Sequence, residues 1–244
     1  MKVEEHHWSS AALGHEMWLK VYGHAGRPVI AFPSQEGRYW DWEHWGMVDS
    51  VAGLIDAGRL RLIAVDSVDW QSWANWSTPP GDRARRQDAY DRYLADELSA
   101  FVTSITGFGR AWTTGASMGA YHASNVLFRH PDRFDGLVAM SGLYRLRHFI
   151  GDYMDGEVYF HSPIHYMANL EDAWYLSRIR IAKLAIVVGQ GAWEDEMLDD
   201  TRELHAVLRA KDIPAIVDYW GNDVNHDWPW WRVMLPHYLE RLGI

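Results

Sequence analysis

The sequence has 244 residues, of which 48% are apolar and 23% are charged, and this composition is ordinary for a globular protein. A chain of this length can bury a substantial core, so we expect a single α/β domain over residues 1–244. The formal net charge of −10 argues against a surface for nucleic acid or for anionic lipid. The absence of cysteine excludes disulfides, thiolate catalysis and cysteine-ligated zinc.

The N-terminal residues lack the apolar core of a signal peptide, and no apolar run approaches the roughly 20 residues of a membrane span. We therefore expect a cytoplasmic protein whose partner is a small molecule rather than a nucleic acid or a membrane. The sequence does not indicate an oligomeric state. It also predicts no metal site, because the adjacent His6 and His7 do not share a face.

Seven short segments have the alternating or continuous apolar pattern of β-strands. They are residues 16–22, 28–32, 60–65, 111–114, 136–140, 181–188 and 214–220. Five longer segments have the apolar spacing of helices. They are residues 43–57, 82–105, 120–129, 194–210 and 230–242. Strands that alternate with helices predict a mostly parallel sheet with helices on both faces, whose functional site lies at the carboxyl ends of the strands.

Residues 115–119 read Gly-Ala-Ser-Met-Gly, a G-x-S-x-G motif between a predicted strand and a predicted helix. This is the context of a nucleophile elbow, in which a sharp turn presents the serine hydroxyl at the N-terminus of the helix. Both glycines are needed because a Cβ at either position would collide with the neighbouring strand or helix. The motif therefore indicates that Ser117 is a catalytic nucleophile.

A serine hydroxyl needs a general base, and the base needs a carboxylate that orients it. In proteins with this elbow the three groups follow one another in the order serine, acid, histidine. Of the 13 histidines, His226 matches that order, because it lies in the loop after the last predicted strand. We therefore expect His226 to be the base.

The sequence defines the acid less sharply than the base. Glu194 and Asp195 are adjacent in the loop after the strand at residues 181–188, and side chains one residue apart cannot both face the histidine. We favour Glu194, because it lies three residues after Gly191, a common offset for this acid. Asp195, Asp199 and Asp223 stay open as alternatives.

Two backbone N–H groups are expected to bind the oxyanion that forms when an acyl group is attacked. One belongs to the residue after the nucleophile, Met118, and the other to the loop after the strand that ends at Phe32. Counting from that strand end favours Gln35 as the second donor, with Ser34 next.

The chain has 15 tryptophans, more than a simple core requires. Trp70, Trp73 and Trp76 recur every three residues in the long loop at 66–81, so they form either a buried stripe or the rim of a substrate pocket. We expect them to bind substrate, because the loop follows a strand at the edge that carries the elbow. The aromatic-rich segment 141–167 lies where a small cap can be inserted.

Three motifs resemble the esterase family of the α/β-hydrolase fold, which includes feruloyl and acetylxylan esterases, S-formylglutathione hydrolases and mycolyltransferases. They are Gly-Ala-Ser-Met-Gly-Ala-Tyr-His at 115–122, His-Pro-Asp-Arg-Phe-Asp-Gly at 130–136 followed by Ser-Gly at 141–142, and His-Asp-Trp-Pro-Trp-Trp at 226–231. The similarity extends over roughly residues 16–242. The resemblance implies an α/β-hydrolase fold and a triad of Ser117, Glu194 and His226, with Gln35 and Met118 as oxyanion donors.

These features predict a serine carboxylesterase that needs no cofactor and hydrolyses short-chain acyl or aryl esters through an acyl-enzyme. One alternative is an acyltransferase, in which a bound alcohol replaces the water that attacks the acyl-enzyme. Another is a catalytically silent protein that binds a small ligand or a sugar through its tryptophans. The intact order of serine, carboxylate and histidine argues against this last alternative.

Overall fold

An eight-stranded sheet forms the centre of the computed structural model, which describes residues 1–244. Its strands are β1 (Val3–Ser9), β2 (Glu16–Tyr22), β3 (Arg27–Phe32), β4 (Leu60–Val65), β5 (Ala111–Ala116), β6 (Phe134–Met140), β7 (Lys183–Val188) and β8 (Ile216–Tyr219). Their spatial order is β1-β2-β4-β3-β5-β6-β7-β8. Strand β2 pairs antiparallel with β1 and β4, and every other pair is parallel. The prediction of a mostly parallel sheet is confirmed.

Helices connect most of the strands. They are α1 (Asp41–His44), α2 (Met47–Ser50), α3 (Ala52–Asp56), α4 (Pro80–Arg92), α5 (Ser99–Thr106), α6 (Met118–Arg129), α7 (Arg147–Ile150), α8 (Gly156–Phe160), α9 (Pro163–Ala168), α10 (Ala173–Ile181), α11 (Asp195–Ala210) and α12 (Trp228–Leu242). A π-helical segment, Tyr93–Leu98, joins α4 to α5. None of the helices combines the length and the apolar character that crossing a lipid bilayer requires.

Each face of the sheet packs against its own set of helices. Successive residues of a strand point to opposite faces. In β3, Ile30 and Phe32 therefore join a buried cluster with residues of α4, α6, α10 and α11. Val29 and Ala31 join a second cluster, with residues of α2, α3 and α12. Helices thus cover both faces, as the sequence predicts.

Some predicted elements differ from those in the structure. The predicted helix at 43–57 is three short helices. Gly46, with a left-handed φ of 72°, separates α1 from α2, and Val51, with a non-helical φ of −116° and ψ of 10°, separates α2 from α3. The predicted strand at 181–188 begins at Lys183, because Ile181 is the last residue of the unpredicted helix α10. Strand β1 is also unpredicted, since its exposed edge position leaves few apolar residues as a signal.

The parallel strands bring their carboxyl ends, and the loops that follow them, to one edge of the sheet. The loop after β3 carries Gln35, the turn after β5 carries Ser117, the loop after β7 carries Glu194, and the loop after β8 carries His226. The segment at 141–167 leaves the same edge after β6 and contains α7, α8 and all but the last residue of α9. The topology therefore directs every predicted catalytic residue to one region.

The close approach of α6 to the end of β3 generates a stability prediction. A Cβ on Gly119 would lie 2.5 Å from the carbonyl oxygens of both Phe32 and Pro33, and neither backbone group can move freely. We expect Gly119→Ala to lower the free energy of unfolding by about 2–3 kcal/mol, as overpacking does in a core. Chemical denaturation of the purified variant measures this change.

The matched control is Gly53→Ala, a second glycine within a helix. A Cβ at that position meets no atom within 4 Å, so the helical preference of alanine should leave stability equal or raise it by up to about 1 kcal/mol. Equal unfolding free energies for the two variants would contradict the packing that we describe.

Candidate active site

Strand β5 turns into helix α6 at Ser117. Its φ of 57° and ψ of −123° are unfavourable for a residue that carries a side chain. The turn is held by a 2.9 Å hydrogen bond from the Ser117 backbone N–H to the carbonyl oxygen of Met140. It also needs Gly115, because a Cβ there would lie 2.2 Å from the carbonyl carbon of Gly119. The half-buried Ser117 thus becomes the N-cap of α6.

The imidazole of His226 lies against Ser117. Its Nε2 atom is 2.9 Å from the Ser117 Oγ, a distance at which the hydroxyl donates a hydrogen bond to the ring. The His226 backbone N–H donates to the carbonyl oxygen of Ala192 at 3.0 Å. The ring also packs edge-on against Trp231, with centroids 4.9 Å apart. A neutral imidazole held in this way can remove the serine proton.

The carboxylate of Glu194 contacts the other ring nitrogen. Its Oε2 is 3.2 Å from His226 Nδ1, so that N–H donates to the carboxylate and fixes the tautomer with a free Nε2 lone pair. Glu194 is fully buried. Its Oε1 accepts hydrogen bonds from the Ser141 hydroxyl at 2.5 Å and from the Gly189 N–H at 3.4 Å.

The alternative acids from the sequence lie elsewhere. Asp195 is exposed in the first turn of α11, where a carboxylate stabilises the helix dipole. Asp199 is exposed and pairs with Arg202 at 3.1 Å, and Asp223 is also exposed. Of the four candidates, Glu194 is the one whose side chain contacts the histidine.

Two residues at this site have no predicted role in the sequence. The buried Ser141 has left-handed backbone, with a φ of 52°, and its Oγ both donates to Glu194 and accepts from Trp231 Nε1 at 3.1 Å. Trp231 therefore touches the imidazole through its ring and the acid through Ser141. The sequence offers two signals for these roles. Ser141 directly follows a buried strand, and Trp231 lies five residues after His226.

The expected oxyanion donors lie on two elements. Met118 is the first residue of α6, so its N–H is among those left free at a helix N-terminus. Gln35 lies in a turn closed by a 2.9 Å hydrogen bond from the Gly37 N–H to the Ser34 carbonyl oxygen. The N–H groups of Ser34 and Gln35 donate to no acceptor within the protein.

The three tryptophans of the 66–81 loop do not share one environment. Trp70 and Trp76 are 55% and 58% exposed, and Trp76 stacks on Phe149 with centroids 5.7 Å apart. Trp73 is fully buried, and its Nε1 donates to the Tyr121 hydroxyl at 3.0 Å. The prediction that Trp73 binds substrate is therefore wrong, because the body of the protein covers its indole.

Comparison with known proteins identifies the family and the fold. Residues 10–242 match the model of the Esterase family, whose description is "Putative esterase". The match covers nearly the whole chain, and the family is the one that the motifs resemble. A sequence search of the curated proteins found no match.

Solved structures with the same architecture include a ferulic acid esterase, with a TM-score of 0.76 and 18% identity over 99% of this chain and 97% of that one. An S-formylglutathione hydrolase of Staphylococcus aureus matches with a TM-score of 0.70 and 14% identity, over 99% and 96% of the two chains. The protein MPT51 of Mycobacterium tuberculosis matches with a TM-score of 0.72 and 18% identity, over 100% and 98%. At identities this low, the structural similarity shows the fold alone, which is that of the α/β-hydrolases.

The contacts of Ser141 generate a prediction about the reactivity of Ser117. Ser141→Ala removes one hydrogen bond from the buried Glu194 and leaves the Trp231 N–H without its acceptor. We expect the free energy of unfolding to fall by about 1–3 kcal/mol. We also expect the rate of Ser117 phosphonylation by a fluorophosphonate to fall about tenfold, because the acid orients His226 less well.

The control is Ser72→Ala, which removes another fully buried hydroxyl whose 3.2 Å hydrogen bond, to the Val68 carbonyl oxygen, lies within its own loop. This variant should lose stability without losing reactivity. An unchanged phosphonylation rate in Ser141→Ala would contradict the role that we give to the Ser141 hydroxyl.

Proposed function

This chain belongs to the esterase family and is a carboxylic ester hydrolase, and from that premise we propose that it is a serine esterase acting on short-chain acyl or aryl esters. The observation that carries the proposal is one unbroken line of hydrogen bonds. It runs from the Ser117 hydroxyl through the His226 ring to the buried Glu194 carboxylate. Such a line is what a serine nucleophile needs at neutral pH.

In the proposed mechanism, Ser117 Oγ attacks the ester carbonyl carbon while His226 Nε2 takes the hydroxyl proton. The imidazolium that forms is stabilised by Glu194, which stays ionised. His226 then returns the proton to the leaving alcohol as the tetrahedral intermediate collapses to an acyl-enzyme. A water molecule, deprotonated by the same nitrogen, attacks the acyl-enzyme and releases the acid, and the proton returns to Ser117.

The oxyanion of each tetrahedral intermediate is assigned to the backbone N–H groups of Met118 and Gln35. Two features support this assignment: Met118 begins the helix that Ser117 caps, and the Gln35 N–H has no acceptor within the protein. Fixed donors of this kind need no reorganisation when charge develops on the oxygen, which is why they lower the barrier.

The preference for small acyl groups rests on what surrounds the nucleophile. Met118 belongs to a buried cluster with Leu143, Leu146 and Phe149 of the 141–167 segment, and with Val188 at the end of β7. Protein side chains thus fill the space beside the elbow, which favours a short acyl or a flat aryl group over a long flexible chain. The cluster supports the proposal that the segment is a small cap.

Trp70 and Trp76 stay proposed as substrate-binding residues. Both indoles are more than half exposed, and Trp76 is held by stacking on Phe149 of the cap segment. A rigid exposed indole offers a large apolar contact to an aryl or acyl group at little cost in conformational entropy.

Transfer of the acyl group to an alcohol uses the same acyl-enzyme, so it is the natural alternative outcome. Adding methanol to the assay distinguishes the two, since a transferase forms the methyl ester faster than the free acid. The alternative of a silent binding protein is set aside, because the chain is a carboxylic ester hydrolase.

The test of the proposed function is hydrolysis of p-nitrophenyl esters of increasing acyl length. We expect the highest kcat/KM for acetate, and a loss of at least about a thousandfold in kcat for Ser117→Ala, which should remain folded.

Trp76→Ala should raise KM or shift the acyl preference. Its control, Trp174→Ala on α10, removes an indole that is 43% exposed and should change neither.

Activity that survives in Ser117→Ala would contradict the assignment of Ser117 as the nucleophile. A highest kcat/KM for long acyl chains would contradict the proposed preference for short acyl groups, but not the assignment of Ser117.

The adjacent carboxylates provide a matched pair for testing the acid. Glu194→Gln keeps the shape of the side chain but removes the charge that stabilises the His226 imidazolium, so we expect kcat to fall by about a thousandfold or more. Asp195→Asn makes the same chemical change one residue away at an exposed position, and kcat should stay within about twofold. Loss of activity in Asp195→Asn rather than Glu194→Gln would reverse the assignment.

A further inference from the structure

The two proposed oxyanion donors are carried by different parts of the fold. Met118 is on helix α6, whereas Gln35 is in the loop at residues 34–37, here called the oxyanion loop. A hydrogen bond weakens steeply when its geometry is lost, so both N–H groups must be held at one fixed separation. Some contact should therefore connect the helix with the loop.

A buried pair of ionisable residues occupies the space between them. His122 is on α6, four residues after Met118, and its Nε2 lies 2.8 Å from the Oδ1 atom of Asp69, in the loop after β4. Both side chains are entirely buried. An ionised carboxylate only accepts hydrogen bonds, so the imidazole N–H donates. The proposed mechanism makes no use of this pair.

The second oxygen of Asp69 binds the oxyanion loop. Asp69 Oδ2 accepts a 3.0 Å hydrogen bond from the backbone N–H of Glu36, the residue directly after Gln35. Glu36 has left-handed backbone, with a φ of 56°, which is unfavourable for a residue with a side chain and must be held by its surroundings. One carboxylate thus joins the loop to the helix through two hydrogen bonds.

Neighbouring contacts fix the end of the oxyanion loop, and the residues directly after it, to the same segment. The Ser67 hydroxyl donates to the Gly37 carbonyl oxygen at 3.1 Å, and Asp66 Oδ1 accepts from the Tyr39 N–H at 3.1 Å. The Asp69–His122 pair differs from these contacts because it reaches the helix as well as the loop.

We infer that Asp69 and His122 are positioning residues that tie the oxyanion loop to the nucleophile helix and so set the separation of the Gln35 and Met118 N–H groups. This inference rests on the proposed function, because it assigns those two groups to the oxyanion. The inference makes two chemical requirements. Residue 69 must provide two acceptor oxygens, and residue 122 must place an N–H where Nε2 of histidine lies.

Four variants test the inference. Asp69→Ala frees the Glu36 N–H, and His122→Leu removes the hydrogen bond to Asp69 while filling most of the buried space with an apolar side chain. His122→Gln restores an N–H at the position of Nε2. His122→Asn places its amide at the position of Nδ1, too short to reach Asp69.

For Asp69→Ala and His122→Leu we expect kcat for p-nitrophenyl acetate to fall about a hundredfold, the loss seen when one oxyanion donor is removed. KM should change little, because the ground-state ester does not carry the negative charge. Inhibition by a trifluoromethyl ketone, whose adduct carries that charge, should weaken by a similar factor. His122→Gln should recover most of kcat, and His122→Asn should not.

The matched control is a second histidine–aspartate contact at the other end of the same helix. His130 Nε2 lies 2.7 Å from Asp91 Oδ2, with no contact to the oxyanion loop. His130→Leu should lower the melting temperature while leaving kcat and inhibitor affinity unchanged, which separates positioning from stability.

The inference is overturned if folded Asp69→Ala and His122→Leu keep the wild-type kcat and inhibitor affinity. If neither folds, equal kcat values for His122→Gln and His122→Asn overturn it. If the wild-type protein shows no hydrolysis that depends on Ser117, the proposed function fails and this inference fails with it. Hydrolysis that depends on Ser117 but is unaffected by these variants rejects the inference alone.

Discussion

The buried carboxylate of Glu194 is the constraint on which the arrangement of the site depends. An ionised group in the interior costs several kcal/mol unless hydrogen bonds and opposite charge compensate it. The compensating donors come from three places: His226 after β8, Ser141 after β6 and Gly189 at the end of β7. The hydrogen bonds to this one carboxylate therefore require that the ends of three strands hold their donors in one fixed arrangement.

Helix α12 completes that geometry. The Trp231 indole donates to Ser141 and lies edge-on against the His226 ring, so Glu194, through Ser141, and His226 share one aromatic support. Removing Ser141 or His226 would leave the buried Glu194 carboxylate short of a hydrogen-bond donor. The cost of an unpartnered buried polar group is larger than the net gain from a hydrogen bond that is made. Glu194, Ser141, Trp231 and His226 thus form one unit.

A second constraint lies on the other side of Ser117, where backbone packs against backbone. Glycine at position 119 lets α6 approach the end of β3, and the loop that follows β3 carries Gln35. The Asp69–His122 pair connects the same two elements through side chains. The nucleophile helix is therefore fixed against the proposed acid and base on one side and against the oxyanion loop on the other.

The fold and the main candidates could be predicted because their signals are local. The elbow depends on five consecutive residues, and the positions of Glu194 and His226 follow from the order of loops after the strands. Strand boundaries such as those of β2 and β4 follow from apolar patterns, whereas the polar edge strand β1 gives no such signal.

Contacts between distant residues could not be predicted in this way. Ser141 is 53 positions from Glu194 and 90 from Trp231, and Asp69 is 53 from His122, so no spacing rule connects them. The spacing of Trp70, Trp73 and Trp76 misled for a related reason. A period of three does not tell which indole turns inward, and Trp73 is the one that packs on Tyr121.

Trapping an acyl-enzyme on Ser117 is the most direct test of the proposed function. The protein is mixed with p-nitrophenyl acetate, quenched in acid within the first turnover, digested and analysed by mass spectrometry. We expect the mass of one acetyl group on the peptide that contains Ser117, formed as fast as nitrophenolate is released. Release of nitrophenolate with no acetyl group on Ser117, or with the group on another residue, would contradict it.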